Sequence, residues 1–251
     1  NKAIFFTYSL PFLLFFTSFL LYSFFPIFTS MLKSIATLLK KDILLEWRQR
    51  YAINGILLYV ASTVFVCYLS FGIKTNKISP LTWNAVLWIV LLFASVNAVA
   101  KSFLQEKSGR MLYYYTLVSP QAIILSKVIY NSGLLLLLSS IAYLFYSVVL
   151  GNPVQDKTLF FINVLIGSIG FATTFTMISA IASKADNSST LMTILGFPII
   201  IPMLLMLMKI SKSAIDGLAL SVSIDELIIL CALNVMMVAL AYILFPYLWR
   251  S

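Results

Sequence analysis

Apolar residues in this chain come in long unbroken runs, and polar ones in short knots between them. Seven stretches hold no Asp, Glu, Lys or Arg: Ala3–Leu32, Tyr51–Ile73, Ile78–Ala100, Val128–Gln155, Thr158–Ser183, Asn187–Met208 and Leu227–Trp249. A hydrocarbon core of about 30 Å is crossed by about 20 helical residues, so each run is long enough to span it. No water reaches backbone N–H and C=O groups inside lipid, so a spanning run must satisfy them itself, as a helix does. A membrane β-barrel would show alternating strands of about ten residues, and "GLLLLLSS" at Gly133–Ser140 does not alternate. The expected fold is all-α: a polytopic helical membrane protein, with six transmembrane helices after an interfacial amphipathic helix. No internal repeat, low-complexity tract or second folded domain is visible.

The amphipathic segment is Met31–Arg50, "MLKSIATLLKKDILLEWRQR". Leu32, Ile35, Leu39, Ile43 and Trp47 step by three or four residues and share one helical face. Lys33, Thr37, Lys40, Lys41 and Arg48 lie largely away from it. A base-rich helix with a Trp near one end is expected to lie in the membrane interface rather than cross it.

Composition supports lipid as the solvent. The chain is 61% hydrophobic and only 10% charged, against about 25% charged residues in a soluble domain. Lys and Arg number 17 against 8 Asp and Glu, a net charge of +9. In a membrane protein that excess reports basic cytoplasmic loops facing anionic lipid rather than a nucleic-acid partner. If the segment Phe103–Lys127 is cytoplasmic, the inner side holds Lys33, Lys40, Lys41, Arg48, Arg50, Lys101, Lys107, Arg110, Lys127, Lys184 and Arg250. The outer side then holds Lys74, Lys77, Lys157, Lys209 and Lys212. This asymmetry places both ends of the six-span core in the cytoplasm.

Several chemistries are absent from the sequence. It has no His, so no His-based metal site, catalytic triad or haem ligation is available within the chain. Cys67 and Cys231 both fall inside apolar runs and read as small buried hydrophobes, not as a disulfide or zinc pair. The charge-free runs leave no carboxylate at membrane depth, where ion-coupled transporters place one. No P-loop signature occurs. The chain reads as a non-enzymatic membrane protein with no metal site, whose energy must come from a partner.

One stretch interrupts the apolar pattern at length: "FLQEKSGRMLYYYTLVSPQAIILSKVIYN", Phe103–Asn131. A connector between two helices needs only about four residues. An interfacial helix before the first span and a sizeable cytoplasmic segment after the second resemble the permease subunits of type-2 ABC transporters. The first cytoplasmic loop of those proteins forms a short coupling helix that docks on a separate ATPase. On that resemblance Glu106, Lys107, Gly109 and Arg110 make the docking knot. Gly109 allows tight chain reversal, Pro120 suits the first position of a new helix, and Ser119 can cap it. Tyr113–Tyr115 fit an interfacial aromatic belt.

The resemblance narrows further. "KKDILLEWRQR" (Lys40–Arg50) is similar to the basic-acidic signature before the first span of the haem exporter protein B (CcmB) family, with Lys40, Asp42, Glu46, Trp47 and Arg48 as its charged and aromatic positions. "FLQEKSG…SPQAIILSK" resembles that family's first cytoplasmic loop, and "IGSIGFATTF" (Ile166–Phe175) its glycine-bearing fourth span. "STLMTILGFPIIIPMLLM" (Ser189–Met206) resembles its fifth span, in which Gly196, Pro198 and Pro202 are expected to break the helix. The likeness covers 31–251, taken as one permease domain. Residues 1–30 are a hydrophobic extension that reads as an extra N-terminal span, a signal segment, or upstream sequence before a start at Met31; the last fits best with an organisation complete from Met31 onward. The loop departs from the family in lacking a second acid after Gly109.

Membership would imply a permease subunit in the bacterial cytoplasmic (inner) membrane, acting in haem export or delivery for c-type cytochrome biogenesis. Its implied partners are a CcmA-like ATPase, CcmC- and CcmD-like membrane proteins and, indirectly, the haem chaperone CcmE. Haem would be transient cargo, with no covalently bound cofactor. Two other classes fit the same pattern: an ABC permease for lipid, polysaccharide or drug, and a non-transporting assembly scaffold. The charge asymmetry itself yields a prediction. Cysteines placed at Ser108 and Lys184 should be shielded from an impermeant thiol reagent in intact cells, and those at Asn76, Asp156 and Lys212 labelled. Strong external labelling at Ser108 would invert the topology.

Overall fold

The computed structural model describes residues 29–48, 51–72, 78–99, 103, 118–183 and 188–250. Helix α1 covers 29–48. Helix α2 is Tyr51–Cys67, prolonged by a π-helical turn at Tyr68–Gly72. Then follow α3 (Pro80–Val99), α4 (Pro120–Leu150), α5 (Lys157–Ala182), α6 (Ser188–Ile215), a 3-10 turn at Leu220–Ser223, and α7 (Ile224–Arg250). Among the described residues there is no strand, and six helices are long and apolar enough to cross a membrane. The all-α, six-span architecture is the one the charge-free runs predict. The hydrophobic extension Ala3–Ser30 lies outside the described residues, apart from its last two positions, which begin α1.

The helices overrun their charge-free runs at the ends. Lys127 falls inside α4, Lys209 and Lys212 inside α6, and Asp225 and Glu226 in the first turn of α7. Among the described residues, carboxylates therefore enter the spanning helices only in an end turn, with Asp225 and Glu226 in the first turn of α7. Lys209 Nζ pairs with Glu226 Oε1 at 2.5 Å, and a second pair described below reaches Asp42. The physical reason is length. Helix α4 has 31 residues, about 46 Å at 1.5 Å per residue, so its ends project beyond a hydrocarbon core of about 30 Å. Charges in those end turns can pair without sitting at mid-membrane. The two acids opening α7 also face the positive end of its dipole.

Helix α5 is the axis of the bundle. It packs against α3, α4, α6 and α7, while α2 lies outside, against α3 and α4. Its glycines allow this. A Cβ at Gly167 would stand 2.8 Å from Leu207 Cδ2 and 3.0 Å from the Trp88 ring. At Gly170 it would collide with the Asn234 amide oxygen and with Met203 Sδ. Buried amides join the same neighbours. Asn163 Nδ2 donates to Leu207 O and to Ser211 Oγ, both at 2.8 Å; Trp88 Nε1 also donates to Ser211 Oγ at 2.8 Å. Asn131 Nδ2 donates to Thr176 Oγ1 at 2.8 Å, and Asn234 Nδ2 to Ile166 O at 3.3 Å.

The end of the bundle holding the α4–α5 connection is closed by aromatic packing. Trp83 meets Tyr146 edge-on at 5.0 Å between ring centroids and Phe160 at 5.7 Å; Tyr143 stacks on Phe160 at 5.2 Å. Trp83 Nε1 donates to Gly151 O at 2.8 Å. Asp156 caps α5 by accepting from Leu159 N at 2.9 Å. The two cysteines are free, but Cys231 is exposed on α7 and Cys67 only half-buried. The expectation of two buried thiols fails because α2 and α7 are peripheral and turn apolar side chains outward to lipid.

The α5 interfaces generate a stability prediction. Gly170→Val should lower the unfolding temperature in detergent, by overpacking worth about 1–3 kcal/mol. Gly133→Ala, where a Cβ would meet nothing within 4 Å, should be neutral or slightly stabilising.

Candidate functional site

The other end of the bundle is built around the segment that interrupts the hydrophobic pattern. Helix α1 reaches it with three distinct sides. Ile35, Leu38 and Asp42 are buried and Glu46 is half-buried, so these four, spaced by three or four residues, form the side facing the protein. Leu32, Ile43 and Trp47 stay exposed, Trp47 at 72% of its surface. Lys40 and Arg48 are exposed on the remaining side. The expected stripe is therefore split. Ile35 turns inward, whereas Leu32, Ile43 and Trp47 form a separate, exposed apolar face. Such a face suits the lipid boundary of an interfacial helix.

Two carboxylates on the inward side make the contacts. Asp42 Oδ1 accepts from Lys127 Nζ at 3.4 Å; Oδ2 lies 3.3 Å from the same ammonium without hydrogen-bond alignment. Lys41 Nζ stands 3.2 Å from Oδ1 and is partly exposed. Asp42 and Lys127 are 6% and 7% exposed. The Lys127 ammonium also lies 5.9 Å from the centre of the Phe103 ring, within the range of a cation–π attraction. One turn along α1, Glu46 Oε1 accepts from the Ile53 backbone N–H at 3.3 Å, and Oε2 from the Tyr130 hydroxyl at 3.5 Å. Ile53 lies in the first turn of α2, where backbone donors have no helical partner. Glu46 thus caps α2 while touching α4.

Apolar packing surrounds the ion pair. Leu38 of α1, Phe103, Ile123, Ile124 and Val128 of α4, Met177 and Ala180 of α5, and Met237, Ala241 and Phe245 of α7 form one cluster, separate from the main core. Phe103 and Phe245 are 5.6 Å apart. Phe103 opens the interrupting stretch and Ile123–Val128 lie toward its close, so both ends of that stretch are anchored in the same cluster as Leu38 of α1. Glu106, Lys107, Gly109 and Arg110 lie outside the described residues, as do Tyr113–Tyr115. Pro120 opens α4 as expected. Ser119 occupies the cap position, yet its hydroxyl makes no capping bond; its backbone carbonyl accepts from Ala122 N and Ile123 N instead. The proline ring leaves the first helical position without an N–H, which already removes one orphan donor.

The fifth span is one helix, α6, from Ser188 to Ile215, with Pro198 and Pro202 inside it. Both prolines are on its exposed side, and Gly196 on its buried side. Each proline removes one helix hydrogen bond, and the two sit one turn apart on that outward side. Gly196 borders a small apolar cavity of about 60 Å³ lined also by Leu92, Phe93, Phe175 and Ile200. None of the three gathers with the charged junction.

Sequence reasoning missed Lys127 as a partner, Tyr130, Phe103 and Phe245. Asp42 and Glu46, four apart on one helix, were a usable signal: two acids on one side of a basic helix imply a cationic or donor-rich surface facing them.

This arrangement defines a class: a six-span helical membrane protein with an amphipathic helix pinned to the flanks of the segment between its second and third spans. The sequence profile described as CcmB protein matches residues 33–248, and the chain belongs to that family. The family implies a haem-exporter permease component for cytochrome c maturation. No curated protein matches the chain.

The cavity beside Gly196 yields a further prediction. A Cβ there would meet Ile178, Ile200 and Phe175 at 3.6 Å, which is ordinary contact. Gly196→Ala should therefore fold normally and gain about 0.5–1 kcal/mol of helix stability, read as a raised unfolding temperature in detergent. A lowered one would show that the cavity closes in another conformation.

Proposed function

We propose that the chain is the membrane permease subunit of an ABC transporter in the bacterial inner membrane, energised by a separate CcmA-like ATPase that docks on the first cytoplasmic loop. The observation that carries this reading, beside family membership, is the shared anchoring of both loop flanks. Phe103 and Ile123–Val128 are packed with α1, α5 and α7 in one cluster. A loop that only connected two spans has no need of such a footing. A loop that receives force does, because a push on it must reach several helices at once. CcmC- and CcmD-like membrane proteins complete the assembly, and the haem chaperone CcmE receives its product. Haem is the cargo of the system and passes transiently, with no resident cofactor in this subunit.

The docking face is the sequence Glu106–Arg110. Glu106 and Arg110 are four apart and share a side if the segment is helical. Glu106→Lys should therefore reduce ATPase recovery in copurification by tenfold or more if the contact is buried, since breaking a buried interfacial charge pair costs about 2–5 kcal/mol. Insertion of the chain should be unchanged, because the site is outside the bilayer. Lys74→Glu, on the opposite side, should leave recovery intact. Unaltered ATPase recovery and unaltered cytochrome c maturation in the Glu106→Lys chain would reduce the loop to a connector.

A further inference from the structure

The junction poses a question that docking leaves open: what carries motion from the loop base into the rest of the subunit? Apolar packing alone is a poor lever between an interfacial helix and a span, because two smooth apolar surfaces can slide. The structure gives α1 two polar fasteners instead, one turn apart. Asp42 holds Lys127 of α4 at 3.3–3.4 Å in a nearly dry setting. Glu46 holds both Tyr130 of α4 and the first turn of α2 through Ile53 N–H. Lys127 and Tyr130 are themselves about one turn apart on α4, so the two fasteners fix both the roll and the axial position of α1 against that helix. Lys127 also rests over Phe103, the residue that leads into the loop.

We propose that Asp42 and Lys127 form a latch that makes α1, the head of α2 and the loop base at Phe103 and Pro120–Tyr130 move as one body, so that Asp42 and Lys127 are positioning residues for energy coupling. This rests on the permease reading above. With the latch intact, a displacement of the loop base tilts α1 in the interface and draws the start of α2 with it through Glu46. With the latch open, the loop base moves and α1 stays in the lipid boundary.

The test uses the full chain, expressed in cells lacking their own copy. Four readouts are compared: chain inserted in the membrane, ATPase copurified, holocytochrome c formed per inserted chain, and hydrogen-exchange protection of the α1 amides. Asp42→Asn with Lys127→Met removes both charges together, which avoids an unpaired buried charge. This double variant should insert and keep its ATPase, lose α1 protection, and make roughly tenfold less holocytochrome c. Such a split separates coupling from folding. The exchanged pair, Asp42→Lys with Lys127→Asp, should recover at least half the lost yield. Full yield from the neutral double variant, or an exchanged pair that inserts but recovers nothing, overturns the latch. Lys127→Arg keeps the cation and covers the case in which neither double variant accumulates. It should retain both yield and α1 protection, and an inserted Lys127→Arg chain that keeps its ATPase but makes no holocytochrome c also overturns the latch. Absence of any ATPase with the wild-type chain would instead strike the permease reading, since yield per inserted chain judges the latch without it.

Discussion

Lipid tails are as apolar as leucine, so hydrocarbon gives no gain for bringing two oily helices together. The bundle depends on contacts that lipid cannot match, and these converge on α5. Gly167 and Gly170 let α3, α6 and α7 come close enough for dense van der Waals packing. Asn163 and Asn131 add hydrogen bonds whose alternative in hydrocarbon is an unsatisfied amide. Helices α2 and α7, which border lipid over much of their surface, are tied on from outside. The order of burial, with α5 most enclosed and α2 least, follows from where small and amide-bearing residues sit, not from hydrophobicity, which is high in all six.

Among the described residues the ion pairs lie at the two ends, and the ends use them differently. At the α4–α5 connection the fixings are aromatic and capping contacts, with the Lys209–Glu226 pair partly open to water. At the α1 end the pair is enclosed and flanked by an aromatic ring. An exposed pair is screened by water and tolerates rearrangement. An enclosed pair is costly to break and therefore fixes geometry. The first end is closed by packing; the second holds a movable neighbour, the interfacial helix, in one registered position.

Span count and helix type were legible because lipid allows only one way to satisfy a long apolar run. Boundaries were less so, since Lys127, Lys209 and Glu226 lie inside helices and are invisible to a search for charge-free runs. Pro198 and Pro202 were legible as lost helix donors, but the side of α6 they occupy is set by the fold and was not. The Gly-x-x-Gly spacing of Gly167 and Gly170 is visible in the sequence and permits the close approach that the structure shows. At the site, Asp42 and Glu46 were marked by resemblance and Pro120 by helix-start chemistry. Their partners Lys127 and Tyr130 were not found, because contacts between residues some 85 apart are a product of the fold; the contact to Ile53, seven residues on, depends on how α1 turns into α2.

Helix α1 shows why the acids are necessary rather than incidental. It carries two apolar sides, Ile35 with Leu38 and Leu32 with Ile43 and Trp47, roughly a quarter turn apart at 3.6 residues per turn. Burial of hydrocarbon area favours packing either side on the bundle, and the second is the larger. Hydrophobicity alone would thus leave the roll of α1 undecided or choose the wrong face. Rolling Ile43 and Trp47 inward would carry Asp42 away from Lys127 and leave an ammonium enclosed without its carboxylate, a loss of about 3–5 kcal/mol. It would also free the first turn of α2 from Glu46. The charged residues therefore choose between two apolar faces. They send Trp47 to the lipid boundary, where its amphipathic ring is favoured, and keep Lys40 and Arg48 in the aqueous layer beside anionic headgroups. One ion pair and one capping carboxylate set the orientation of twenty residues that hydrophobic area could not orient.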